Sequence, residues 1–424
     1  MSNYTKVQLI SWELYTGPVV TARTPTSSGG VTKRGWYAGI NAAPTTGAYD
    51  ARVDVLSQCQ DVDARVKFTA SAIDKAHALA STDTGTLKVF LAPEFLYRGA
   101  GGAYVHDLLN GWTEAPADLG LLASKDYSGK WGGLFGNLKT LVADDKYKDW
   151  LFVFGTALSA DFPTQQDPTD KKYYIDVSKP ATIYNTALSQ RGGAGNTDAC
   201  YATRKQYISH IDFLNEYSTY ISHIGSQVLP VEQRTVIPAD VLGVSEGGTS
   251  FNIANINDGS GKAIAFGVEV CLDHLASGGI DPKTGRSVNA FGRIKAANQH
   301  VKLQLVPSGG MTLVPASISL QAGTDGTTAH SYAFNCDGLN GLTAGNGSHT
   351  QVWNGIGASN KLHEASNGAP DPTSTPKPQV ASHVSAVASS VAIGGNTVQS
   401  TILWSNGGTV DGSGSVRVLD PLSL

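Results

Sequence analysis

The sequence predicts an α/β fold, and two observations carry that prediction. Short apolar runs recur along the chain and end abruptly: residues 89–92 stop at Pro93 and Glu94, 263–270 at Cys271, and 301–306 at Pro307. Runs of that length and composition read as strands buried on both faces. Between them, Val62, Val66, Ile73, Ala76 and Ala80 recur at helical spacing within residues 62–80. Leu134, Leu138, Leu141 and Val142 do the same within 131–145. Each such stretch reads as a helix laying one apolar face on a sheet.

The elements follow in order. Residues 7–14 form the first strand, and 18–60 are an irregular insertion rich in Pro, Gly, Ser and Thr. The helix of 62–80 leads to a strand at 87–92, which sets Glu94 at its end. Residues 98–130 are a loop near the pocket, and Tyr97, Tyr104, His106 and Trp112 are candidates to line it, with local packing as the equal alternative. After the 131–145 helix, strands at 150–158 and 183–188 flank a polar, hairpin-like excursion. Lys205 lies on the next segment, and 217–260 is a second Gly-rich insertion with a strand at 249–256. Beyond the 263–270 strand come a helix at 289–298, the 301–306 strand, and a broken helix and strand within 308–345. The expected organisation is a main domain over 1–358, a Pro/Ser linker over 359–379, and a β-rich tail over 380–424. That tail is expected to pack on the domain or on a partner subunit.

Composition narrows the function classes. A length of 424 residues fits two or three domains, or one large α/β domain with insertions. The charged fraction of 16% is low and the 48 glycines are many, which points to long loops with hydroxyl and amide surfaces. A net charge of -4 offers no electrostatic case for nucleic acid or an anionic membrane, so neither is expected as a partner. No apolar stretch approaches membrane-spanning length, and the N-terminal residues lack the pattern of a secretory leader. A cytoplasmic location is expected, with export lacking a cleaved leader as the alternative. Cys59, Cys200, Cys271 and Cys336 are too widely spaced for a disulfide framework or a zinc pattern, and the ten histidines show no ligand spacing. No metal or organic cofactor is expected.

Three residues carry the chemistry. A lone cysteine more often fills core space, and a lysine usually sits on the surface. Cys271, however, ends a buried strand, where α/β sheets tend to place reactive groups. A helix starting at Asp273 or His274 would favour its thiolate. Glu94 in an apolar setting suits proton transfer with a thiol, and Lys205 suits stabilisation of developing negative charge.

These stretches resemble the nitrilase, or carbon–nitrogen hydrolase, superfamily. Pro93-Glu94 matches its first motif, Arg204-Lys205 its second, and Gly267, Cys271 and Asp273 its Gly-x-x-x-Cys-x-Asp third motif, in the family's order. The flanks ATIYNTALSQRGG and VKLQLVPSGGM agree, and the likeness covers about residues 5–345. The resemblance implies a four-layer α-β-β-α sandwich, here with long loop insertions. It implies a Glu-Lys-Cys triad that hydrolyses a small-molecule amide or nitrile through a thioester or thioimidate on Cys271. Glu94 is then the base, and Lys205 with the Leu272 N–H stabilises the tetrahedral species. It also implies a second glutamate, for which Glu216 is the choice and Glu269 and Glu232 are rivals. Glu269 enters because it stands two residues before Cys271 on one strand and so shares its face. Tyr97, Leu272 and Glu269 are the expected substrate contacts, and a homo-oligomer is expected. The Arg-Phe-Pro-like sequence usual after the cysteine is missing here, which leaves the substrate class open. Alternatives are acyl transfer on the same site, a catalytically silent binding or assembly protein of this fold, and a Cys271–His274 hydrolase.

Overall fold

The computed structural model describes residues 2–17, 55–99, 103–161, 164–169, 171, 173–175, 182–207, 245–246, 250–275, 291–321, 330–338, 349–354, 361–364, 382–404 and 412–424. Its body is mixed α/β. One sheet contains β1 (Lys6–Glu13), β2 (Thr86–Leu91), β3 (Trp150–Asp161), β4 (Thr182–Arg191), β5 (Cys200–Arg204) and β6 (Ser245–Glu246). They lie in the order β6-β5-β4-β3-β2-β1. β1, β2 and β3 are parallel, while β4 is antiparallel to both of its neighbours. The second sheet runs β7 (Phe266–Val268), β8 (Leu303–Ser308), β9 (Tyr332–Asp337), β10 (His349–Asn354) and β11 (Lys361–Glu364). Its first three strands are parallel and the last two antiparallel.

Strand alternation sorts the side chains into layers. Val7, Leu9, Leu87, Val89 and Leu91 of the first sheet meet Phe266, Val268, Leu303, Leu305 and Phe334 of the second in one buried cluster. Ile10, Trp12, Phe90 and Phe152 turn the other way, against α1 (Val55–Leu79) and α2 (Gly133–Leu141). Helices, sheet and sheet are thus in place. Over the outer face of the second sheet, the described residues place one turn of helix, α3 (Arg293–Ala296), and a 3-10 turn at Pro315–Ser317. These stand where the expected sandwich has its second helical layer. The reason is visible in the backbone donors. Leu313 N–H goes to Gln351 Oε1, Val314 N–H to His274 Nε2 and Ser319 N–H to Gln304 Oε1, so side chains of the sheet and the Cys271 turn take bonds that a helix would close on itself.

Several boundaries differ from expectation. The strand read over 263–270 is Phe266–Val268, the one read over 249–256 is Ile256–Asp258, and the helix read over 289–298 is the single turn Arg293–Ala296. The first long helix begins at Val55, not near 62. Its first turns bury Gln58 and Asp61, which accept from the Val105 N–H and from Arg65, so the polar residues hide the helical period. Within the linker-like stretch, Lys361–Glu364 is an edge strand paired with β10. Of the two insertions, residues 18–54, 208–244 and 247–249 lie outside the described residues. No described helix is long and apolar enough to cross a membrane.

The C-terminal segment, with β12 (Ser382–Ala386) and β13 (Ser415–Leu419), extends the free side of β1. β13 pairs with β1, β12 pairs with β13, and the short strand Leu422–Ser423 pairs with β1 at Lys6 and Val7. Trp404 packs edge-on against Trp12 and Phe68, with the Arg65 guanidinium 4.9 Å over its ring. Arg417 grips the buried Glu13 with two nitrogens, at 2.8 and 3.1 Å. Thr350 of β10 donates to the same carboxylate, so the tail, β1 and the second sheet share one ionic node. Arg417→Met strands the Glu13 charge and should cost about 3–5 kcal/mol in urea unfolding. Pairing it with Glu13→Gln should recover most of that loss. A cost below about 1 kcal/mol for the single change would contradict the node.

Candidate active site

The C-terminal ends of β2, β5 and β7 carry Glu94, Lys205 and Cys271, the positions where α/β sheets present reactive groups. Glu94 and Lys205 are 0% exposed, and the ammonium lies 2.7 Å from Glu94 Oε1. Asn185 of β4 donates its amide to the same oxygen at 2.8 Å, and its carbonyl accepts the Lys205 N–H at 2.9 Å. One residue therefore fixes both partners of the ion pair. The Lys205 ammonium also lies 5.6 Å from the centre of the Phe95 ring, whose other cationic neighbour is the Arg98 guanidinium at 4.2 Å.

Backbone geometry aims Glu94. Gly155 interrupts β3 with φ 71, at a register shift between Val153 and Thr156, and a Cβ there would stand 2.2 Å from the Pro93 carbonyl. Only glycine allows that approach. Thr156 then receives the Phe95 N–H on its hydroxyl, and Ser308 of β8 receives the Glu94 N–H. Gly309 closes the site from the second sheet. A Cβ on it would lie 2.8 Å from the Phe95 ring and 3.2 Å from Glu94 Oε2.

Cys271 is 3% exposed and opens a 3-10 turn, Cys271–His274. Its φ of 50 is left-handed, a conformation that costs a side-chain-bearing residue about 1–3 kcal/mol and clusters at functional sites. Phe95, directly after Glu94, shares it with φ 63. Among the described residues, the other non-glycine residues of this kind are Lys171, Asn255 and Asn298, and asparagine tolerates the region well. The turn is bound to the lysine segment through Asp273. Its carboxylate, 0% exposed, accepts the N–H groups of Gln206 and Tyr207, the two residues after Lys205. Burial pushes the Asp273 carboxyl above its ordinary range; Arg293, 3.0 Å away, opposes that most strongly.

Other expected site residues fall elsewhere. Tyr97 is buried in the helix-facing core with its hydroxyl on Thr69 of α1, 2.8 Å away, so it does not join Glu94 and Lys205. Tyr104, His106 and Trp112 are likewise held locally, by Asp61, Ser159 and the Tyr127 carbonyl. Burial, with Arg204 adding to it, pushes the His106 imidazole down to about 4. Glu269 does not share the face of Cys271. Phe266, Val268, Val270 and Cys271 enter the core between the sheets, while Glu269 binds His274, Gln304 and the Ile294 N–H at 2.6, 2.8 and 2.8 Å. The left-handed turn at Cys271 breaks the alternation on which the shared-face reading rests. His274 is committed on both nitrogens: Nε2 accepts the Val314 N–H, so Nδ1 carries the proton given to Glu269. A Cys271–His274 hydrolase loses its base. Leu272, half-buried, is the second residue of the turn. Glu216 and Glu232 lie outside the described residues. Asn185 and Arg293 are additions that motif reading missed. Asn185 stood inside the matching flank, but nothing in the sequence said which oxygen its amide would meet.

No cluster of three or more His, Cys, Asp or Glu placed to hold a metal ion occurs among the described residues. No family model matches the sequence, and no curated protein matches it. One solved structure, "Crystal structure of N-terminal amidase with Gln-Val peptide", is similar over 72% of this chain at 12% identity, with a TM-score of 0.26. The matched region spans about half of that protein, 48% of its chain.

Proposed function

We propose that this chain hydrolyses a non-peptide carbon–nitrogen bond, in an amide or a nitrile, through a covalent intermediate on Cys271, with a nitrilase-like sandwich as its fold. What supports the reading is the buried Glu94–Lys205 ion pair, tied through Asp273 to the turn that Cys271 opens. Oε1 of Glu94 holds Lys205 and Asn185, and the thiol proton is assigned to Oε2, on the Gly309 side. The thiolate attacks the carbonyl or nitrile carbon. Lys205 and the Leu272 N–H stabilise the charge that develops on the oxygen or nitrogen. With an amide, Glu94 returns the proton to the departing amine or ammonia and then removes one from the water that cleaves the thioester. With a nitrile it first protonates the thioimidate nitrogen and activates a water that adds to the thioimidate carbon, so that ammonia leaves and the same thioester is reached.

Ammonia release across a panel of small amides and nitriles should find a substrate, and Cys271→Ala should abolish turnover. Glu94→Gln and Lys205→Ala should each lower kcat by about 100-fold or more. Turnover that survives Cys271→Ala would end this reading. Absence of turnover across the panel, with intact thiol reactivity, would favour the binding or assembly alternative.

Thiol reactivity offers a substrate-free check. Burial pushes the Cys200 and Cys336 thiols up, Cys336 strongly. Iodoacetamide at neutral pH, followed by peptide mapping, should therefore label Cys271 well ahead of both. Equal labelling of the three would contradict an activated Cys271.

Gly309→Ala adds a single methyl against Phe95 and Glu94. It should cut kcat by about ten-fold through misalignment of Glu94, while the melting temperature moves by only a few degrees. Unchanged kcat would show that this wall does not position the carboxylate.

A further inference from the structure

The Asp273–Arg293 pair does more than neutralise a buried charge. Asp273 Oδ1 accepts from the Gln206 N–H at 2.9 Å and the Tyr207 N–H at 3.0 Å, and Oδ2 lies 3.2 Å from the Gln206 nitrogen. Arg293 Nη1 donates to Asp273 Oδ2 at 3.0 Å and also reaches the Arg204 carbonyl at 3.3 Å. The residues on either side of Lys205 are therefore bonded to this pair, while Lys205 itself bonds Asn185 and Glu94. Asp273 is also the third residue of the four-residue turn that starts at Cys271. α3, which supplies Arg293, is anchored in turn by Glu269 through the Ile294 N–H. The nucleophile turn and the lysine segment belong to different sheets. Asp273 and Arg293 bridge them with side-chain bonds to backbone.

We infer that Asp273 and Arg293 are positioning residues that together set the separation between the Lys205 ammonium and the Cys271 sulfur. The inference rests on the proposed cysteine-dependent hydrolysis. Neither residue is assigned a proton or a substrate contact. Their effect is transmitted through the backbone at residues 204, 206 and 207. A lysine that drifts from the sulfur leaves the thiolate with less compensation, so the thiol ionises at higher pH. It also leaves the charge of the tetrahedral species less well met, which lowers kcat without weakening substrate binding.

The test uses the full chain with Asp273→Asn, Arg293→Gln and Arg293→Lys. Asp273→Asn keeps an acceptor for Gln206 and Tyr207 but sets an amide against the guanidinium. Three readouts are taken below each variant's melting range: the pH dependence of Cys271 alkylation by iodoacetamide, and kcat and KM on the best amide or nitrile of the panel. Asp273→Asn and Arg293→Gln should lower kcat by about 10–100-fold with KM within about twofold. Their alkylation midpoint should rise by about one pH unit. Arg293→Lys should restore kcat to within about threefold of wild type, since a cation in place keeps the Asp273 charge paired. Variants that merely melt earlier, with wild-type kcat and alkylation profile, would overturn the inference. If Asp273→Asn does not fold, the two Arg293 variants decide it in the same way. Failure of the underlying reading is distinguishable. Wild-type protein without Cys271-dependent turnover rejects the hydrolase. The alkylation midpoint then still decides the positioning role: a rise upholds it and an unchanged profile rejects it.

Discussion

The arrangement turns on one ion pair with no access to water, Lys205 on Glu94. Moving two charges out of water costs several kcal/mol per ion, and mutual attraction repays that only when further hydrogen bonds complete the site. Asn185 supplies such a bond to Glu94. A buried pair of this kind is weak evidence for stability, because apolar residues of similar volume would often serve the fold as well. Its place at the ends of two strands, joined through Asp273 to the cysteine turn, is what the proposed hydrolysis would need: a carboxylate and an ammonium in a dry site. The same reasoning separates it from Glu13–Arg417, which lies where the tail closes the sheet and has a structural task to perform.

The surroundings hold that pair by backbone as much as by side chain. Gly155 lets β3 pass under Pro93, Gly309 lets β8 approach Phe95, and Phe95 and Cys271 occupy left-handed conformations next to the reactive groups. Strain of this sort persists only where packing over-determines it. Here the over-determination is two sheets meeting through a continuous apolar layer, closed on one side by α1 and α2 and extended at its edge by the C-terminal strands.

Much of this was legible in the sequence, for reasons that can be named. The strands Thr86–Leu91, Trp150–Asp161 and Leu303–Ser308 are buried on both faces along almost all of their length, so they read as short apolar runs that stop abruptly. Those stops are what placed Glu94 and Cys271 at strand ends. Other features had no local signature. The start of α1 was hidden because Gln58 and Asp61 face inward with partners supplied by distant residues. The role of Glu269 was misread because alternation was extended through Cys271, where the backbone turns left-handed. Asn185 and Arg293 act through contacts more than 80 and about 20 residues away in sequence, to Glu94 and to Asp273. Only the assembled sheets bring such partners together. The interruption of the helix expected within 308–345 was legible, but not its cause: among the described residues the Leu313, Val314 and Ser319 N–H groups go to Gln351, His274 and Gln304.

The most direct test of the central claim is a crystal structure of the protein with Cys271 carboxamidomethylated by iodoacetamide. The added amide is a small stand-in for a substrate held on the sulfur. The account predicts that its polar atoms lie within about 3 Å of the Lys205 ammonium and of Glu94, at hydrogen-bonding distance. An adduct that points into the layer between the sheets, with Lys205 and Glu94 out of reach, would contradict it.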